Sequence, residues 1–203
     1  MLSSSIIAEK LVFQATSIGA IKYKDHDLYL YAFHALISYT CSFATMFVIA
    51  FLMNRLIESV IFIFFFYPLR IYAGGFHEKS ELRCYITSTI MFISMILIDI
   101  VGVPGIPVWT SCVLLALSVT VVFMKAPVES EKKPLSQGEL RKYKMVARLI
   151  CVIETCIIIT GVAFGVQQIY LYYAVSGVAT TATLLVYHIY ETSKYSNKSK
   201  NYF

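Results

Sequence analysis

Six stretches of this 203-residue chain are apolar over lengths that reach or approach a membrane crossing. A helix rises about 1.5 Å per residue and a bilayer's hydrocarbon layer is about 30 Å thick, so one crossing takes about 20 apolar residues. Leu28–Met53, Cys84–Val103, Ile106–Met124, Val146–Val166 and Ile169–Tyr190 meet that length. The remaining stretch, Leu56–Leu69, has only 14 residues, about 21 Å of helix. It reads as a short span that thins the bilayer or as a re-entrant segment. Composition agrees: 58% of residues are hydrophobic and 14% charged, where a soluble domain carries about 25% charged. A globule of 23 kDa cannot bury that surplus. A soluble enzyme, a nucleic-acid binder and a disordered chain are excluded. The expected fold is an all-α polytopic membrane protein of about six transmembrane helices.

Charge sets the expected orientation. Lys and Arg in short loops mark the cytoplasmic side of a membrane protein. Lys10, Lys22 and Lys24 precede the first span; Arg70, Lys79 and Arg83 follow the second. Seven more lie between Lys125 and Arg148, and Lys194, Lys198 and Lys200 sit in the tail. Sixteen of the 17 basic residues therefore fall on one side, Arg55 being the exception. Six spans with both termini cytoplasmic satisfy this division, and no odd number does. The chain is expected to be one integral membrane domain, residues 1–203. It comprises an N-terminal segment 1–27, a polar loop 70–83, a basic loop 125–145 and a tail 191–203. The N-terminal segment lacks signal-peptide form. Ile6, Ile7, Lys10, Leu11 and Gln14 suggest an amphipathic helix on the inner membrane surface, with a loosely ordered leader as the alternative. Trp109, Tyr187, Tyr190 and Tyr195 fall near span ends, where amphipathic rings settle.

The densest polar stretch between spans is Leu69–Tyr85 (LRIYAGGFHEKSELRCY). A thiol is weakly nucleophilic until a base takes its proton, so a His beside a Cys is a chemically meaningful pair. On one straight helix His77 and Cys84 would lie about 10.5 Å apart along the axis, beyond hydrogen-bond reach. His77 must therefore sit on a turn folding back towards the helix that carries Cys84. Gly74–Gly75 supplies the backbone freedom for that turn. Ser80 is placed to cap the third span, so Cys84 would lie about one turn inside it, where the helix dipole favours a thiolate. Arg83 adds positive potential. Loop filler remains the competing reading of these residues. A cytosolic face would keep the thiol reduced.

The pattern Arg70-x-x-Ala73-Gly74-Gly75-x-His77-x6-Cys84 resembles the AgrB (accessory gene regulator protein B) family of Gram-positive quorum-sensing systems. Ala126–Pro127, Lys132–Lys133–Pro134 and the Glu139–Arg141–Lys142–Lys144 run are similar to that family as well. The likeness in layout covers nearly the whole chain. It implies a membrane-embedded cysteine endopeptidase of the cell membrane, with its active site at the cytoplasmic face. Its substrate would be a short AgrD-type pro-peptide with an acidic C-terminal tail. Under that resemblance Cys84 is the nucleophile and His77 the base. The acyl-thioester so formed is captured by an internal Cys or Ser of the substrate as a thiolactone or lactone, the autoinducing peptide precursor. Lys132, Lys133, Arg141, Lys142 and Lys144 would attract the acidic tail. Positive-inside topology and contact with anionic lipid heads explain the same residues. Arg70 would bind a substrate carboxylate or shape the loop. The expected partners are the pro-peptide and the bilayer, with a homodimer left open and nucleic acid excluded.

Elsewhere, Glu154 lies inside the fifth span and is expected to point into the bundle, with a partner across helices favoured over a proton pathway. Asp99 and Glu58 are expected to reach water at span ends. His34 and His188 suit helix-packing hydrogen bonds better than orientation of His77. Cys41, Cys112, Cys151 and Cys156 sit in apolar runs, where thiols behave as small hydrophobes. No Cys-x-x-Cys pair, zinc spacing or phosphate loop occurs, so no metal or cofactor is expected. A small permease or peptide exporter is the alternative function.

Overall fold

A computed structural model describes residues 2–19, 22, 26–73, 81–102, 107–128 and 136–200. Among these, helices α1 (Leu2–Ser17), α2 (His26–Leu52), α3 (Leu56–Ala73), α4 (Glu81–Gly102), α5 (Val108–Lys125), α6 (Gln137–Ala163) and α7 (Gln168–Lys200) follow in order. All except α1 contain a stretch long and apolar enough to cross a membrane, as the charge division requires. The architecture is that of a multi-pass, all-helical membrane protein.

Two helices differ in length from the sequence reading. α3 does not stop near Leu69; it continues through Pro68 to Ala73, giving 18 residues, about 27 Å. The stretch read as short or re-entrant is thus long enough to span. Proline removes one intrahelical donor, but Leu69 and Ala73 are both fully buried beyond it, and that packing carries the helix on. α6 begins at Gln137, well before Val146. A capping box starts it: Ser136 Oγ accepts from the Glu139 amide at 3.3 Å, and the Ser136 amide donates to Glu139 Oε2 at 2.9 Å. Much of the expected basic loop 125–145 is therefore helix.

The chain forms two compact units. One holds α1, α2 and the start of α4 up to Phe92. Within it α1 packs on α2, with Ala8 and Val12 fully buried at i, i+4 spacing and Leu11 and Phe13 exposed. The helix expected in the N-terminal segment is present, although its buried stripe is Ala8–Val12 and not Leu11.

The other unit holds α3, α4 from Ile93, and α5 to α7. α7 is its hub, packing on α3, α5 and α6. Its membrane segment is 61% buried, against 33% for α3. Between lipid-solvated helices, close contact depends on small side chains that let backbones approach. The run Ser176-Gly177-Val178-Ala179-Thr180-Thr181-Ala182 supplies them. A Cβ built on Gly177 would lie 2.9 Å from both the Phe62 carbonyl oxygen and Phe65 Cβ of α3. Thr181 Oγ1 donates to the Gly177 carbonyl at 3.2 Å one turn away. At the other end of α6, Gly165 (φ 69) closes the helix, and the Val166 amide reaches back to the Gly161 carbonyl at 2.9 Å. That cap turns the chain straight into α7.

Filling the α3–α7 contact should loosen the unit. Gly177→Ala is expected to destabilise by about 1–3 kcal/mol and Gly177→Leu by more, because neighbouring backbone cannot move aside. Thermal unfolding in detergent measures both, and wild-type melting of Gly177→Leu would contradict the close approach.

Candidate functional site

The polar loop begins where α3 ends, and that end is firmly built. The last carbonyls of a helix have no partner within it. Ala73, the final residue of α3, has its carbonyl bonded by the Val128 amide at 3.1 Å. Ala73, Ala126 and Ala147 are buried together in the core of this unit, with Tyr72 and Val128 packed against it. The Tyr72 ring meets Tyr143 of α6 with centroids 5.8 Å apart, tilted by 53°. Nearby, an Arg148 Nη donates to the Phe123 carbonyl of α5 at 2.9 Å, and its guanidinium lies 5.5 Å over the Phe123 ring. Arg70 sits in the last turn of α3.

α4 opens at Glu81, which puts Cys84 at the fourth position of that helix, as the reading required. Amides in a helix's first turn are unpaired and favour negative charge nearby. Tyr85, the next residue, shares a 2.7 Å hydrogen bond with Thr45 of α2. The start of α4 is thereby tied to α2 within its own unit. His77, Gly74, Gly75, Lys79, Ser80, Lys132 and Lys133 lie outside the described residues. The expected His77–Cys84 pairing and the Ser80 cap thus concern residues beyond the described geometry.

Arg141, Lys142 and Lys144 are exposed on the first turns of α6. Gln137, Gly138, Leu140, Arg141 and Lys144 surround a shallow depression of about 480 Å³. Two cations over a helix's opening turns suit an anionic ligand.

Three other expectations need revision or detail. Asp99 does not reach water: it is 3% exposed, accepts from Arg55 Nε at 2.6 Å and from the Tyr173 hydroxyl at 3.0 Å. The hydrogen bond to Asp99 raises the Arg55 pKa above its ordinary value. The one cation outside the basic side is thus matched by a buried carboxylate 44 residues away, a pairing that spacing along the chain does not reveal. Glu154 does point inward, at 3% exposure, but neither carboxyl oxygen has a hydrogen-bond partner among the described residues. The expected cross-helix partner is not found there. Of the cysteines outside the loop, Cys151 is buried, while Cys41, Cys112 and Cys156 face outward.

Against known families, the model described as Accessory gene regulator B matches residues 4–189. The chain belongs to the AgrB family. A putative AgrB-like protein of Clostridium perfringens (strain SM101 / Type A) is 27% identical over 150 residues, 68% of this chain and 65% of that protein. Accessory gene regulator protein B of Staphylococcus aureus (strain Newman) is 31% identical over 105 residues, 52% of this chain and 54% of that one. Putative AgrB-like protein 1 of C. perfringens (strain 13 / Type A) is 31% identical over 85 residues. The chain spans less than two thirds of the length of each of these relatives. No solved structure matches it. The AgrB match takes in both the Arg70–Cys84 segment and the basic start of α6.

In this AgrB-family chain the Arg55–Asp99–Tyr173 cluster should matter for stability. Tyr173→Phe removes one hydrogen bond and is expected to destabilise by about 1 kcal/mol; Asp99→Asn, which strips Arg55 of its counter-charge, by about 1–3 kcal/mol. Melting in detergent should rank wild type above Tyr173→Phe above Asp99→Asn.

Proposed function

We propose that this chain is a membrane-embedded cysteine endopeptidase that trims an AgrD-type pro-peptide and closes it into a ring. The carrying observation is AgrB membership over residues 4–189, together with Cys84 in the opening turn of α4. By this reading both termini, the segment joining α3 to α4 and the basic start of α6 face the cytoplasm.

The chemistry follows from the residue types. His77 takes the Cys84 proton, and the thiolate attacks the peptide carbonyl before the acidic tail. Collapse of the tetrahedral adduct breaks the C–N bond, His77 returns its proton to the departing amine, and an acyl-thioester on Cys84 remains. A substrate Cys thiol, or Ser hydroxyl, then attacks that thioester; its proton passes to Cys84, and a thiolactone or lactone leaves. Exchange of one thioester for another is nearly isoenergetic, so water must be kept from the intermediate if ring closure is to beat hydrolysis. A site at the membrane boundary supports that exclusion. Arg141, Lys142 and Lys144, with Lys132 and Lys133, draw in the acidic tail, and Arg70 either meets a substrate carboxylate or shapes the loop.

Cleavage of a synthetic precursor by the protein in vesicles tests this. Cys84→Ala should abolish cleavage, and His77→Ala should slow it by about 10²–10⁴-fold. Mass spectrometry should find the acyl adduct on Cys84; cleavage that survives Cys84→Ala removes the nucleophile from the account. Capture should weaken from 0.1 to 1 M salt, as the screening length shrinks from about 10 to about 3 Å.

Glu154, buried and without a hydrogen-bond partner among the described residues, favours one second reading, a permease or peptide exporter. Under it Glu154→Gln stops substrate movement while Cys84→Ala leaves it intact.

A further inference from the structure

Between α5 and α6, with α7 as its back wall, lies a groove that the proposed reaction does not use. Its volume is about 360 Å³, within the range of small-ligand sites. The floor is apolar and closed: Leu115, Ile158, Leu171 and Val175 are all buried. The rim is exposed, with Cys112 and Ala116 on α5 and Ile159 and Val162 on α6. The groove therefore opens sideways, between the two helices. All three helices belong to one compact unit.

Polarity changes along its length. Ser111 of α5 and Gln168, the first residue of α7, lie at the end where Val108 starts α5. The turn from α6 to α7 closes that end, the Val166 amide donating to the Gly161 carbonyl at 2.9 Å. Farther in, the walls are Val119 and Thr155, and the Thr155 hydroxyl is committed to its own helix, donating to the Cys151 carbonyl at 2.7 Å. From Val108 to Val119 the groove follows α5 for about 16 Å. Half of a bilayer's hydrocarbon layer is about 15 Å deep. Trp109, exposed at the polar end, is a ring of the kind that settles at the membrane–water interface.

We propose that this groove binds one acyl chain of a bilayer phospholipid, with the ester region at Ser111 and Gln168 and the methyl end near Val119. Depth, polarity and sideways opening select that occupant together. An apolar cavity of about 150 Å³ stays dry and takes up benzene; this one is larger and as long as one leaflet is deep. Moving a chain from lipid into the groove brings no hydrophobic gain, so the added dispersion contacts with three helices hold it there. Lys125 ends α5 at the far side, so the lipid belongs to the leaflet away from the basic turns of α6. This site stands independently of the peptidase reading.

Photo-crosslinking tests it, with the full chain in phosphatidylglycerol vesicles containing a trace of the same lipid with a diazirine midway along one acyl chain. Mass spectrometry of the digested protein should find adducts concentrated between Ser111 and Val119 and between Thr155 and Val162. Ala116→Trp, which fills the groove from its exposed rim, should cut those adducts about tenfold while melting stays at the wild-type temperature. Leu117→Trp places the same bulk on the exposed face of α5 outside the groove and should leave them unchanged. Cys112→Phe serves where Ala116→Trp does not fold. Adducts spread evenly over exposed helix faces, no loss in Ala116→Trp, or an equal loss in Leu117→Trp overturns the inference. Adducts that form only when the protein is diluted in the bilayer assign the groove to a second copy of this chain, and adducts displaced by added precursor assign it to the peptide; either result overturns it.

Discussion

Within the unit built on α3 and α5 to α7, the decisive constraint is how closely α7 can approach α3. Hydrocarbon offers no hydrophobic drive between helices, so packing depth and shape decide which faces meet. At Gly177 there is no room for even a methyl group. That contact fixes α3 lengthwise against α7, and Leu69 and Ala73 then bury on the same side. The end of α3 follows from it, and with that end the place where the polar loop begins. A contact midway along α3 and α7 thus bears on where α3 ends, several turns away.

The ends of the helices reuse ordinary backbone chemistry. Unpaired terminal carbonyls and amides are met by the Val128 amide at α3, the Arg148 guanidinium near the end of α5, the Ser136–Glu139 box at the start of α6 and the Gly165 turn at its end. Each device also fixes where a helix or the segment next to it starts. Arg148 and the capping box together hold the basic turns of α6 beside the end of α5 and not in free solution.

Much of this is legible in the chain itself. Apolar length gave the six spans, and the Arg70–Cys84 spacing pointed to the family that the match over residues 4–189 established. α3 reads short in the sequence because Arg70 ends the apolar run at Leu69, while the packing that carries the helix on to Ala73 is tertiary. The early start of α6 is encoded in the capping-box spacing of Ser136 and Glu139, which lies amid basic residues that read as loop. Lipid-facing and inward-facing sides are both apolar, so helix neighbours are hidden in general; the small residues from Ser176 to Ala182 are the one local sign of the α3–α7 seam. Asp99 with Arg55 and Tyr173 joins residues 44 and 74 positions apart, and no local pattern carries that information.

The length of α6 has a consequence of its own. Its 27 residues extend about 40 Å, roughly 10 Å more than hydrocarbon can cover. The surplus is a stiff post rather than a tether, so in a bilayer Arg141, Lys142 and Lys144, all within its first eight residues, would stand beyond the hydrocarbon at the level of the phosphate head groups. A membrane rich in anionic lipid would therefore rival any acidic peptide for these side chains, which makes bilayer composition a natural throttle on what the post can hold.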